Sequence, residues 1–200
     1  METVIVASGN PGKVKELSDI LESFGMDVKS KDEAGYSHID PIEDGLTYEE
    51  NSLIKAEALV KASGCAVIAD DSGLEVDFLG GEPGIYTSRF AGDDCNPDKN
   101  NAKLLTLMDG VPYGDRKAKF VTVITMLFPD GRKIVARGEC PGHIVTEKSG
   151  EGGFGYDPVF IPEGYQSTFA QLGKEVKNKI SHRARAISSL VNQLKERDLV

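Results

Sequence analysis

The stretch that most constrains this chain is Ala66-Val67-Ile68-Ala69-Asp70-Asp71-Ser72-Gly73-Leu74. A short apolar run with β-branched residues reads as a buried strand, yet this one carries two adjacent carboxylates and ends at a glycine. Successive strand side chains point to opposite faces. One of Asp70 and Asp71 therefore faces the body of a sheet, and the other faces a cleft or solvent. A lone Asp-Ser-Gly is ordinarily a polar strand end that hydrogen-bonds its own turn, so the rest of the chain decides whether this one does more.

A first strand over residues 4–7 runs into Ser8-Gly9-Asn10-Pro11-Gly12-Lys13, where Asn10 is suited to cap a helix and Pro11 to begin it. Val14, Leu17, Leu21 and Phe24 share one face of that helix, and Gly25 closes it. Lys13 and Lys15 in its first turn carry the wrong charge for the positive end of a helix dipole, a conflict that a docked anion resolves. Thr47 and Glu50 form a capping box for a second helix over 48–62, whose first turn does follow the dipole rule with Glu49 and Glu50. On it Asn51 and Lys55 share a face, with Glu43 just ahead.

A strand over 26–29 separates these helices, and the strand bearing Asp70 and Asp71 is expected to extend through Val76 to Leu79. Asn96-Pro97 caps a third helix that ends at Gly110, and residues 119–128 and 133–139 form a hairpin around Pro129-Asp130-Gly131. Glycines in the segment Ser149-Gly150-Glu151-Gly152-Gly153-Phe154-Gly155-Tyr156-Asp157-Pro158 would let backbone approach a ligand, and the two aromatics offer faces for a base. The last helix starts after Ser181, with Ala184, Ile187, Val191 and Leu194 inward. His182, Arg183 and Arg185 crowd its start, with Lys177 and Lys179 shortly before. Two of four expected helices thus break the dipole rule in the same sense, as helix N-termini gripping a polyanion would.

A net charge of −9 over 200 residues argues against a surface devoted to nucleic acid or anionic membrane. Cys65, Cys95 and Cys140 are odd in number and widely spaced, which suits a reducing compartment and no structural zinc. No targeting segment or membrane-crossing apolar run stands out, so a soluble cytoplasmic protein is expected, with one domain or two small lobes sharing a core. Carboxylates at Glu43, Asp70 and Asp71 beside a phosphate-compatible loop point to Mg²⁺, which binds through one or two carboxylates plus substrate phosphate. Hydrolysis at phosphorus needs a carboxylate-like base to orient water as well. The 8–13 loop has neither the P-loop spacing nor Gly-x-Gly-x-x-Gly.

The ordered set Ser8-Gly9-Asn10-x-x-Lys13, Glu43-Asp44-Gly45-x-Thr47-x-x-x-Asn51-x-x-x-Lys55-Ala56, Ala69-Asp70-Asp71-Ser72-Gly73-Leu74, Gly152-Gly153-Phe154-Gly155-Tyr156-Asp157-Pro158 and Ser181-His182-Arg183 resembles the inosine triphosphate pyrophosphatase family. The likeness spans nearly the whole chain; Ser8 stands where threonine is more usual and Ser52 where alanine is common. The resemblance implies an α/β protein with a long mixed β-sheet and flanking helices, one domain of two lobes around a central nucleotide cleft. It implies a Mg²⁺-dependent homodimer that cuts ITP, dITP or XTP between the α and β phosphates. On that basis Glu43 and Asp71 hold the metal, Asp71 accepts the proton, and Ser72 touches substrate. Ser8, Gly9, Asn10, Pro11, Gly12 and Lys13 cradle the triphosphate, and Lys55 reaches phosphate. Phe154, Gly155, Tyr156, Asp157, Lys177, His182 and Arg183 surround the base and sugar. Three other readings stay open: a pyrophosphatase for thymidine or uridine triphosphates, a nucleotide sensor without catalysis, and a single-stranded nucleic-acid binder.

Overall fold

Twelve regular elements organise the computed structural model, which describes residues 3–23 and 25–197. The chain runs β1 (Val4–Val6), α1 (Pro11–Ser23), β2 (Val28–Ser30), α2 (Tyr48–Ser63), β3 (Ala66–Val76), β4 (Pro83–Gly84) and α3 (Pro97–Leu107). It continues with β5 (Lys117–Leu127), β6 (Lys133–Ile144), β7 (Phe160–Pro162), α4 (Phe169–Ile180) and α5 (His182–Glu196). One mixed sheet has the order β2-β1-β3-β5-β6-β7, with β4 paired to β3. β1 is parallel to both β2 and β3, and such pairs need crossover connections, which α1 and α2 supply.

The register Val4↔Ala66, Ile5↔Val67 and Val6↔Ile68 decides where the two carboxylates lie. β1 ends while β3 continues, so Asp70 and Asp71 stand just past the carboxyl end of β1. The chain leaves β1 for β2 on one side and reaches β3 on the other. Such a reversal at the carboxyl ends of parallel strands opens the crevice where α/β sheets bind ligands.

Two compact units divide the chain: Met1–Asp71, Thr122–Gly138 and Arg183–Val200 form the first, and Ser72–Val121 with Glu139–His182 the second. In the first, strand parity separates two layers. Even-numbered Ala66 and Ile68 pack with Leu17 and Leu21 of α1 and Ile187, Leu190 and Val191 of α5. Odd-numbered Val67 and Ala69 pack with Ala56 and Leu59 of α2. In the second, Leu74 and Val76 join Leu104 of α3, Met108 just after it, Phe120, Phe160 and Phe169. Among the described residues, no helix is long and apolar enough to cross a membrane.

Several sequence expectations need correction. β2 lies at Val28–Ser30 rather than 26–29, and β3 ends at Val76, where Asp77–Leu79 turns into a 3₁₀ helix. α3 stops at Leu107, short of Gly110. The inward face proposed for α1 holds at Leu17 and Leu21, while Phe24 lies outside the described residues. α4 was not expected at all, and Gly173, at φ 77° and ψ 170°, interrupts its helical backbone. Its existence also reassigns Lys177 and Lys179, which sit in its last turn, where the dipole favours cations.

Candidate active site

The loop after β1 is built as its residues dictate. Asn10 Oδ1 accepts hydrogen bonds from the Gly12 and Lys13 amides at 2.9 and 3.2 Å, and the Asn10 amide donates to Ser8 Oγ at 3.3 Å. The cap therefore occupies two first-turn donors of α1, and the cation on that turn, Lys13, is left as the loop's main handle for an anion.

Asp70 and Asp71 diverge as strand parity requires. Even-numbered Asp70 points to the α1 and α5 layer, where Lys13 Nζ lies 3.3 Å and Arg183 3.6 Å from its Oδ2. Arg183 is also paired with Glu16 of α1, completing a buried chain of alternating charge, Glu16, Arg183, Asp70 and Lys13. Odd-numbered Asp71 points to α2, where the Asn51 amide donates to its Oδ2 at 3.2 Å and Lys55 Nζ lies 3.7 Å from its Oδ1. Lys55 also bonds Glu43 Oε2 at 2.7 Å. Gly45 matters to this arrangement because its amide donates to Asn51 Oδ1 at 2.9 Å, and a Cβ there would stand 2.7 Å from that oxygen.

The electrostatics of the two carboxylates differ accordingly. Burial alone would raise the Asp70 carboxyl, but the Lys13 ammonium and Arg183 guanidinium outweigh it and hold it at about 2. Burial pushes the Asp71 carboxyl up; Lys55 and Lys13 offset part of this, and the like charge of Glu43 adds to it. The lysines split too. Burial lowers Lys13 more than Asp70 can raise it, and the neighbouring cations Lys55 and Arg183 lower it further. For Lys55 the same burial is outweighed by Asp71, Asp70 and Glu43 together. Lys13 is thus a buried cation whose charged form an arriving phosphate would favour further.

Glu43 Oε2 and Asp71 Oδ1 both face the Lys55 ammonium, so two hard oxygen donors already surround one positive centre. That is the donor chemistry Mg²⁺ takes. Among the described residues no group of three His, Cys, Asp or Glu side chains could hold a metal, so a cation at Glu43 and Asp71 would draw its remaining ligands from substrate and water.

The second unit carries a separate polar and aromatic cluster. Lys177 Nζ bonds Asp157 Oδ2 at 2.6 Å and lies 4.3 Å from the Phe154 ring centroid, while the Phe154 amide donates to the same Asp157 oxygen at 2.8 Å. Asn101 Nδ2 donates to Gly155 O at 3.0 Å. A cavity of about 700 Å³ is lined by Asn101, Lys148, Phe154 and the backbone of residues 152–155, among others. Tyr156 is only 5% exposed and donates to Thr87 O, so it belongs to the core, and Phe154 keeps the accessible ring of the two. The His182 ring stacks on Phe120 with centroids 4.7 Å apart, and Ser72 is buried next to Asp71 on β3.

A Cβ on Gly150 or Gly152 would meet Ala170 at 2.9 or 2.7 Å, and one on Gly153 would strike the Asp157 carboxylate, so these three glycines also make room for the protein's own atoms. Glu16, Asn101 and the pairing role of Asp70 were not legible as site features. Glu16 follows Lys13 by three positions on one face of α1, a spacing that could have signalled it.

Residues 4–193 match the sequence model of the Ham1 family. A dITP/XTP pyrophosphatase of Clostridium perfringens is 47% identical over 98% of each chain, and one of Vibrio vulnificus is 43% identical over the full length of both. Among solved structures, the Staphylococcus aureus Ham1 protein is similar with a TM-score of 0.85 and 42% identity, covering 98% of this chain and 100% of that one.

Proposed function

The chain belongs to the Ham1 family, and from that premise we propose that it is a nucleoside triphosphate pyrophosphatase for non-standard purine nucleotides. ITP, dITP and XTP would be cut between the α and β phosphates to the monophosphate and pyrophosphate, clearing them from the nucleotide pool. The observation that carries this reading is the meeting of Lys13, Lys55, Glu43, Asp70 and Asp71 just past the carboxyl end of β1, in a chain whose full-length relatives carry that activity by name.

Each residue has a task in this reaction. Glu43 and Asp71 would hold Mg²⁺, which when bound supplies neutralisation of the phosphate charge. Asp71, steadied by the Asn51 amide, orients the attacking water and takes its proton; burial makes its carboxylate a better acceptor than an exposed one. Lys13 and Lys55 bind phosphate oxygens and stabilise the charge that gathers on the leaving pyrophosphate. Ser8, Gly9, Asn10, Pro11 and Gly12 wall the phosphates, and Ser72 contacts substrate. Asp70 touches no substrate and keeps Lys13 and Arg183 in place. Phe154 offers a ring face to the base, while Asp157, Lys177, Gly155 and Tyr156 hold the loop that presents it. His182 and Arg183 supply donors to the six-keto oxygen of hypoxanthine or xanthine. The amino group of adenine leaves such a donor unpaired, a mismatch that rejects the wrong base strongly.

The proposal includes a homodimer working in the cytoplasm. Pyrophosphate release from ITP, dITP, XTP, ATP, GTP and dTTP, with and without Mg²⁺, tests it. Metal-dependent release led by the first three is expected. Release led by dTTP would favour the pyrimidine-specific alternative, and no release from any would leave a binding protein.

A further inference from the structure

Lys31 is a buried lysine, 7% exposed, to which the reaction above gives no task. It follows the last residue of β2, and its amide donates to Val6 O at 3.0 Å, so it stands beside the point where β1 enters the 8–13 loop. Its Nζ donates to Ile39 O at 2.9 Å and lies 3.4 Å from Asp40 Oδ1, on a side chain that is 90% exposed. An ammonium has three donors. The third has no acceptor among the described residues, and a buried cation is ordinarily matched by a buried anion. Gly9 lies beside this ammonium, since a Cβ on it would stand 3.8 Å from the Lys31 Nζ, in ordinary contact.

We propose that Lys31 is a phosphate-binding residue that donates to the end of the triphosphate away from the bond cleaved. This rests on the triphosphate reading above. β1 lies between β2 and β3, so Lys31, just past β2, and Asp71 on β3 are separated across the sheet by two inter-strand spacings, about 10 Å. Asp71 attends the reacting phosphorus, and Lys31 therefore meets the terminal phosphate along Ser8 and Gly9. Its charge counts in binding the triphosphate and in holding the pyrophosphate product.

Lys31→Gln keeps a hydrogen-bonding side chain one bond shorter and removes its charge, while Asp40→Asn removes the competing carboxylate. With ITP, Lys31→Gln should raise KM and the inhibition constant of inorganic pyrophosphate by about tenfold each, the worth of one charge-assisted hydrogen bond. Asp40→Asn should leave both constants unchanged or lower them. Both constants within twofold of the parent in Lys31→Gln would overturn the proposal, as would a lowered Tm in both variants with an unchanged pyrophosphate constant. Failure of the parent protein to hydrolyse ITP would instead overturn the function proposed above. Calorimetric titration of pyrophosphate into parent and Lys31→Gln would then still decide the role of Lys31.

Discussion

Replacing the two adjacent carboxylates one at a time should produce opposite defects. Asp70 is held at about 2, against an ordinary value of 3.8, by Lys13 and Arg183 despite its burial. A depression of that size is worth about 2 kcal/mol of stability at neutral pH. Asp70→Asn removes it and leaves Arg183 with Glu16 and Lys13 with only the more distant Asp71, which brings the cost to about 2–4 kcal/mol, or about 5–10 °C in Tm for a chain of this length. Because the folded carboxyl is depressed, this stability is present above the unfolded value and is lost as pH falls toward 2. The melting gap between parent and Asp70→Asn should therefore close across that window. Asp71 is raised instead, chiefly by burial, so its charge weakens the metal-free fold at neutral pH. Asp71→Asn in chelator should melt at or above the parent temperature while losing nearly all turnover of ITP. Thermal melts from pH 7 down to pH 2, paired with pyrophosphate release, separate the two. An Asp71→Asn protein that melts well below Asp70→Asn, or a melting gap indifferent to pH, would refute the division of labour.

Other outcomes follow from single contacts. Gly45→Ala drives a methyl onto Asn51 Oδ1 and should lower kcat about tenfold through the loosened Asn51–Asp71 bond, a charge-assisted one, with little change in the far-ultraviolet circular dichroism spectrum. Arg183→Ala should erode the ratio of kcat/KM for ITP over ATP more than it slows ITP itself; an unchanged ratio would remove Arg183 from base recognition. Chelation should abolish pyrophosphate release and added Mg²⁺ restore it, whereas full activity in chelator would exclude Glu43 and Asp71 as metal ligands.

Much of the architecture was legible wherever the signal is local. The Asn10 and Asn96 caps and the Thr47–Glu50 box all form as written, because each joins a side chain to an amide two or three residues away. The hairpin of β5 and β6 and the start of α5 after Ser181 likewise follow from short-range signals. Strand parity alone separated Asp70 from Asp71, since alternation along a strand needs no knowledge of its neighbours.

What tertiary structure alone decided is who meets whom. Glu16 and Arg183 come from opposite ends of the chain, and only the packing of α1 and α5 on one face of the sheet pairs them across Asp70. Gly150 and Gly152 lie against Ala170 of α4, a contact that only the packing of that helix creates. Lys31 reads in sequence as one more surface lysine and becomes a buried cation because β2 aligns in parallel with β1. Backbone hydrogen bonding within a few residues is written into neighbouring side chains. The convergence of distant charges depends on sheet register and layer packing, which no local pattern contains.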